Sequence, residues 1–152
     1  MFVVSPSDVS ISTDTAVTVS SGINKNLILD VTNDSTVNGA RIQLYGSNGT
    51  DAQCYRSQIL GNSAYRIVNV NSDKMLSVSG ALMTNGTNVQ QYAANGTYAQ
   101  KWIVLKNSDG SCVIQSSLSE NMVLDVAGGS TANDANMQPH AANGTNARRW
   151  QV

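Results

Sequence analysis

Short segments in which polar and apolar residues alternate follow one another along the chain, and no stretch reads as a long amphipathic helix. A period of two places successive side chains on opposite faces of an extended strand. Turn-forming Asn-Gly, Asp-Gly and Gly-Gly pairs separate the segments at close intervals. The pattern therefore predicts an all-β chain. The clearest predicted strands are Ala16–Ser20, Ile42–Tyr45, Tyr65–Val68, Trp102–Leu105 and Cys112–Gln115.

The tripeptide Asn-Gly-Thr occurs three times, at residues 48–50, 95–97 and 143–145. The spacings are 47 and 48 residues, in the range typical of repeated supersecondary units. A repeat of this length holds about four short strands, too few to enclose a core alone. We therefore expect a β-trefoil, in which three four-stranded repeats share one core around a pseudo-threefold axis.

At 152 residues, the chain is long enough for one domain with a real core. The expected repeats are about 15–60, 61–107 and 108–152, and residues 1–14 are either a linker or junction remnant or an ordinary N-terminal strand. No apolar run is long enough to span a bilayer, and the first residues do not resemble a signal peptide. We expect a module excised from a larger exported protein.

Aromatic residues close each repeat, two positions after a Gln or an Arg. We expect these aromatic rings to fill the core, the Gln side chains to bond the backbone of the preceding turn, and the Arg to make a related turn contact. Three Leu residues at equivalent positions are expected to join the rings. The closing pairs are Gln53 and Tyr55, Gln100 and Trp102, and Arg148 and Trp150, and the leucines are Leu29, Leu76 and Leu124.

Charged residues make up only 12% of the chain, whereas Asn, Ser and Thr together supply 47 residues. This composition suits an exported β-rich protein with polar loops. The net charge of −1 argues against a nucleic-acid partner. No metal-ligand spacing or cofactor motif is present, and the two cysteines, Cys54 and Cys112, are expected to be free and mostly buried.

Residues 15–152 resemble the R-type lectins, the family of the ricin B chain. The resemblance consists of Leu-Asp-Val or Leu-Ser-Val, then Gln-x-Tyr or Gln-x-His, then a closing Gln-x-aromatic or Arg-x-Trp, three times in register. It implies a carbohydrate-binding β-trefoil that occurs as a free lectin or as a module of secreted hydrolases and toxins. Galactose-containing glycans are the ligands that the resemblance implies.

The first repeat has the most complete set of sugar-binding groups. A sugar presents hydroxyls on one side and a weakly apolar C–H face on the other, so its site needs a charged acceptor, an amide and an aromatic plate. Asp30, Gln43 and Tyr45 supply these groups, and Asn48 supplies donors at the rim. The alternative for Asp30 is a carboxylate that only caps the following loop.

The other two repeats depart from this set. In the third repeat an imidazole replaces the Tyr, which predicts weaker stacking that depends on pH. In the middle repeat Ser77 replaces the carboxylate, so we expect that site to be weak or silent. The third-repeat residues are Asp125, Gln138, His140 and Asn143, and the middle-repeat residues are Gln90, Tyr92 and Asn95.

One position of the family pattern is missing from all three repeats. R-type sites carry an Asn just before the closing Gln, but this chain has Ala52, Ala99 and Ala147 there. Either the Asn of each Asn-Gly-Thr tripeptide replaces it, or the domain keeps the scaffold with little affinity for sugar. These tripeptides also match the N-glycosylation sequon, although their repetition favours a role in turns.

We expect no catalytic activity, because glycoside hydrolysis needs two carboxylates across one bond and the two candidate carboxylates belong to different repeats. Any catalysis would come from an attached domain. The main alternative to a lectin is a protein-binding β-trefoil, an inhibitor or an adhesion module, in which the sugar pockets are vestigial.

Overall fold

A computed structural model of the protein describes residues 15–61, 64–119, 121–142 and 148–152, and these residues form twelve β-strands and five short 3₁₀ turns. Residues 1–14, predicted as a linker or a strand, lie outside the described part. The strands are β1 Ser20–Ser21, β2 Leu27–Val31, β3 Ile42–Gly46, β4 Tyr55–Gly61, β5 Ala64–Asn69, β6 Met75–Val78, β7 Val89–Tyr92, β8 Trp102–Lys106, β9 Cys112–Ser116, β10 Met122–Val126, β11 Ala135–Ala141 and β12 Trp150–Gln151.

Six strands form a barrel, in the order β1, β12, β9, β8, β5 and β4, with neighbours antiparallel. An isolated bridge between Val17 and Tyr55 connects the ends of this series. The other six strands form the hairpins β2–β3, β6–β7 and β10–β11. Each repeat therefore contributes two barrel strands and one hairpin. The predicted β-trefoil with four strands in each repeat is confirmed.

The core is formed by residues at equivalent positions of the three repeats. Leu29, Leu76 and Leu124 are buried, as are all three closing aromatic rings, so both core predictions are confirmed. The indole Nε1 of Trp102 donates to the carbonyl oxygen of Leu76 at 3.0 Å. Trp150 makes the equivalent bond to Leu124 at 3.2 Å. These bonds fix the last barrel strand of a repeat against its own hairpin.

One Asn side chain in each of the three hairpin loops bonds the backbone of the next repeat. The Oδ1 of Asn38, in the first repeat, accepts from the backbone N–H of Ala93 at 2.9 Å. The equivalent bonds run from Ala141 N–H to Asn85 at 3.1 Å and from Gly46 N–H to Asn133 at 2.9 Å. The third loop thus returns to the first repeat, and the three bonds form a closed ring, which we call the Asn ring.

Cys54 and Cys112 form no disulfide, as predicted. Both side chains are half-buried rather than mostly buried. Burial raises the pKa of the Cys112 thiol. Their positions, just before β4 and at the start of β9, give them no part in the hairpins that carry the candidate sites.

Candidate functional site

The first-repeat site is built on the β2–β3 hairpin. Asp30 and Gln43 are directly opposite each other in the antiparallel register. The Nε2 of Gln43 donates to Oδ2 of Asp30 at 2.8 Å, and the carboxylate is only 4% exposed. Tyr45 lies two residues further along β3, on the same face as Gln43, and is half-buried. The hairpin thus brings together the acceptor, the amide and the ring that the sequence predicted.

Asp30 is in an unfavourable environment for a carboxylate. Its Oδ1 atom is buried and has no hydrogen-bond donor among the described residues. Burial raises the pKa of Asp30, and the Gln43 amide opposes this. The nearby carboxylate of Asp34 raises the pKa further, the Gln53 amide lowers it, and Asp134 makes a smaller raising contribution. A buried acceptor that the protein itself leaves unpaired is costly for the fold and is typical of a functional position.

The rim of the first site is a tight turn that the side chains of Asn48 and Gln53 help to form. The Gln53 side chain accepts from Asn48 N–H at 2.8 Å and donates to the Gly46 carbonyl at 2.9 Å. The Asn48 Oδ1 accepts from the backbone N–H and the hydroxyl of Thr50. Gln100 and Asn95 repeat this arrangement in the middle repeat. The predicted turn role of Gln53 and Gln100 is confirmed, and the amide N–H groups of Asn48 are left to face solvent.

In the third repeat the carboxylate has a second partner. Asp125 is 2% exposed and accepts from Gln138 Nε2 at 2.8 Å. The Nε of Arg148 lies 3.4 Å from its Oδ1 atom, an ion pair without hydrogen-bond geometry. The Nη2 of the same guanidinium donates to Nδ1 of His140 at 2.7 Å. A donor at that distance requires an unprotonated Nδ1. Arg148 therefore ties the carboxylate to the ring that the sequence assigned to stacking.

The last predicted residue of the third site, Asn143, lies outside the described residues. The contact that we expected between Arg148 and the turn falls on residues 143–147, which are outside them too. Arg148 contacts Asp125 and His140, and the sequence pattern predicted neither contact. The signal for them was the replacement of Gln by Arg at a position where the other two repeats have Gln53 and Gln100.

The middle repeat contains a pocket of about 300 Å³. Ser77 and Gln90 occupy the cross-strand positions of the Asp–Gln pairs. Neither side chain forms a hydrogen bond within the described part of the chain, so the Gln90 amide keeps its donors and its acceptor available. Tyr92 is 39% exposed at the edge of the pocket. The other lining residues are Val78, Gly80, Ala81, Asn95, Thr97 and Ala99.

Each site also borders the hairpin loop of the preceding repeat, which sequence analysis missed. Asn133, in the third repeat, bonds the backbone at Gly46, directly after the Tyr45 plate. A Cβ atom at Gly39 would lie 3.9 Å from Oε1 of Gln90, and one at Gly86 would lie 3.8 Å from Oε1 of Gln138. The signal was present in the sequence, since the three Asn residues of the ring have the same spacings of 47 and 48 as the Asn-Gly-Thr tripeptides.

With this geometry, the family comparison is unambiguous. The family model described as "Ricin-type beta-trefoil lectin domain-like" matches three overlapping stretches, 8–92, 58–140 and 98–152. The chain belongs to this family of lectin-like β-trefoil domains. No curated protein matches the chain.

Solved structures with the same fold include both free lectins and modules. A designed threefold-symmetric protein, ThreeFoil, is 31% identical with a TM-score of 0.87, covering 90% of this chain and 96% of its own. An exo-β-1,3-galactanase from Clostridium thermocellum is 28% identical with a TM-score of 0.87. The match covers 93% of this chain but 30% of that enzyme. The Rhizoctonia solani agglutinin is 22% identical, with a TM-score of 0.82 over 94% of this chain and 96% of the agglutinin.

Within the described ranges, the chain has no helix of the length and apolar character needed to cross a membrane. The same ranges contain no group of three or more His, Cys, Asp or Glu side chains that would hold a metal ion. The features that remain as candidate chemistry are the three hairpin sites, which hold neutral amides, hydroxyls, rings and two buried carboxylates.

Proposed function

We propose that this protein binds carbohydrate without catalysis, through the hairpin sites of its repeats, and that galactose-type sugars are its ligands. The observation that carries the proposal is the Asp30–Gln43 pair, in which the bond to Gln43 orients the carboxylate while Oδ1 has no hydrogen-bond donor in the part of the chain that the structure describes. Membership of a lectin-like family supports the same conclusion.

The chemistry of the first site suits a pyranose. Asp30 would accept from two neighbouring sugar hydroxyls in charge-assisted bonds, which are stronger than neutral ones. Tyr45 offers a flat ring to the C–H face of the sugar, and the free Nδ2 of Asn48 would donate at the rim. Shallow single sites of this kind bind at about 0.1–1 mM, so useful avidity would come from several sites on one branched or polymeric glycan.

Two proteins of similar structure act on or bind galactose-type sugars. One is the exo-β-1,3-galactanase, and another is the C-half of the earthworm R-type lectin in complex with GalNAc. By analogy, this chain would act outside the cell, as a lectin or as the binding module of a larger secreted protein.

The proposal is tested on a multivalent glycan array that includes galactosides and unrelated sugars. Asp30→Ala together with Asp125→Ala should reduce binding of the galactosides by at least about tenfold, because each lost charge-assisted bond contributes roughly 1.5–3 kcal/mol. A matched control is Asp73→Ala, which removes one exposed carboxylate from a loop between β5 and β6.

Circular dichroism and thermal unfolding would show that the double variant keeps its fold. Retained binding by a folded double variant would refute the site assignment. An array without signal for the wild-type protein would refute carbohydrate binding, and a protein partner would then be sought from extracellular proteins.

A further inference from the structure

The three sites differ most in their charge. In the first site, Asp34 and Asp134 both raise the pKa of Asp30, so three carboxylates lie near one another. In the third, Arg148 balances Asp125. In the middle repeat the positions equivalent to the three acids of the first site are Ser77, Ala81 and Gly39.

The middle pocket therefore has no carboxylate among its lining residues. Its buried end offers the Ser77 hydroxyl and the Gln90 amide, and neither is engaged by another side chain among the described residues. The rim offers Asn95, whose Oδ1 is used by Thr97 while its Nδ2 has no acceptor in the described part of the chain. Three side chains with N–H or O–H donors thus converge on a neutral cavity.

A cation lies beside the segment that contributes Thr97 and Ala99 to the lining of this cavity. Tyr98 stands between the lining residues Thr97 and Ala99 and is 64% exposed, and Nζ of Lys101 lies 4.7 Å from the centre of its ring. Lys101 forms no salt bridge within the described residues. Its counterpart in the first repeat is Cys54, and its counterpart in the third, Arg149, pairs with Asp109 at 3.6 Å.

We propose that the middle pocket takes a sugar that carries a carboxylate, such as a hexuronic acid residue, while the acidic first site takes only neutral sugars. The inference rests on the proposed carbohydrate binding. It names a class of ligand for the one repeat that has no carboxylate at the Asp30 position. A ligand carboxylate would accept from the Gln90 amide and the Ser77 hydroxyl, with the Lys101 ammonium nearby. In the first site the same group would meet like charge.

The test compares three probes of nearly equal shape: methyl α-galacturonide, its methyl ester and methyl α-galactoside. Nitrogen-15 NMR titration of the wild-type protein follows the side-chain amides of Gln43 and Gln90, which report the first and middle sites separately. The acid should shift Gln90 at a Kd about fivefold lower than the ester, and it should leave Gln43 unchanged. Added salt should weaken the acid alone.

Two substitutions restore the acidic pattern of the first site. Ser77→Asp places a carboxylate opposite Gln90, as Asp30 lies opposite Gln43. Ala81→Asp adds one at the exposed rim, where Ala81 has φ 55°, close to the 51° of its counterpart Asp34, so the backbone already suits an Asp. Each should remove the preference for the acid over the ester.

Lys101→Ala should weaken the acid about two- to threefold, while Lys106→Ala, which removes the same charge from an exposed position at the end of β8, should leave it unchanged. Equal binding of acid and ester in the middle pocket, or binding of the acid at the first site, would overturn the proposal. Galactoside binding at Gln43 with no ligand at Gln90 would overturn it while leaving the proposed function intact. Absence of binding by every probe would overturn both.

Discussion

Asp30 combines a proposed sugar-binding position with a cost to the fold. Burial raises the pKa of Asp30, so its carboxyl group binds a proton more readily in the folded state than in the unfolded chain. Stability is then highest below the pKa of the unfolded chain, 3.8, and falls as the pH rises from that value towards the raised pKa of the folded state. Above that range the penalty is constant. The ionised carboxylate of Asp30 therefore lowers the stability of the folded protein at neutral pH.

Asp30→Asn should remove this penalty, because Asn keeps the acceptor for Gln43 without the charge. We expect a higher melting temperature than wild type at pH 7, a difference that shrinks as the pH falls from the raised pKa of the folded state towards 3.8, and weaker binding of galactosides. Thermal unfolding across pH 3–7 measures the first effect. A variant less stable than wild type at pH 7 would contradict this account of Asp30.

Arg148 distinguishes the third site from the first, because its guanidinium contacts both the carboxylate and the ring of the site. Arg148→Gln would restore the residue found in the other two repeats and release both Asp125 and His140. Breaking this nearly buried ion pair should cost about 1–3 kcal/mol of unfolding free energy, measured in denaturant.

The same substitution should strengthen the binding of neutral sugar at the third site, because the carboxylate and the ring become available. NMR titration followed at Gln138 measures the affinity. Lys106→Ala serves as the control for the loss of one positive charge. Unchanged affinity with lowered stability would mean that Arg148 is a purely structural partner of Asp125.

The elements of the fold were predictable because each depends on local pattern. Strand alternation placed several of the strands, and the repeat period identified the three equivalent units and the residues of their sites, whereas the cross-strand pairing of Asp30 with Gln43 came from the structure. The alternation failed only at the edge of the barrel, where the predicted strand Ala16–Ser20 is a bridge at Val17 followed by Ser20–Ser21. A short strand of this kind is held by its neighbours and has little pattern of its own.

The contacts between elements were not predictable in the same way. The Asn38 bond to Ala93 spans two repeats, and a turn-forming Asn-Gly pair gives no indication of which distant backbone it meets. Similarly, the contact of Arg148 with His140 depends on how the end of β11 lies against the chain that returns to β12. Spacing alone identified the residues of the sites and not their partners.

The Asn ring gives a prediction at the level of the hairpin loops. Asn133→Ala removes the acceptor of Gly46 N–H and should lower the unfolding free energy by about 1 kcal/mol. Its effect on affinity should be confined to the first site, because the loop borders Tyr45. NMR titration reports each site through its own Gln, and Asn85→Ala is the matched variant for the third site. Equal losses at all sites would show that the loops act only through global stability.

At the scale of the whole molecule, three candidate sites with different charge lie on the hairpins of one shared core. Their shared core ties them to fixed separations, so a glycan bearing several galactose units should bind far more tightly than one unit. We expect a gain of about 10²-fold or more for a multivalent galactoside polymer over methyl galactoside in surface plasmon resonance. The Asp30→Ala variant should lose most of this gain, and an equal affinity for both ligands would show that the protein has one working site.

The Asn ring bears on the ancestry of the fold. A single repeat, detached from its neighbours, would supply a hairpin without the loop that borders it. Only a closed set of three gives every hairpin its bordering loop, whether three identical chains assemble or one chain carries all the copies. Because the third loop meets the first hairpin, the three repeats form a closed cycle. A chain could therefore begin at any of the three repeats without changing the neighbours of any site. Fusion of an ancestral trimer into one gene would have kept every pocket intact, and only afterwards would each copy have been able to change its charge on its own.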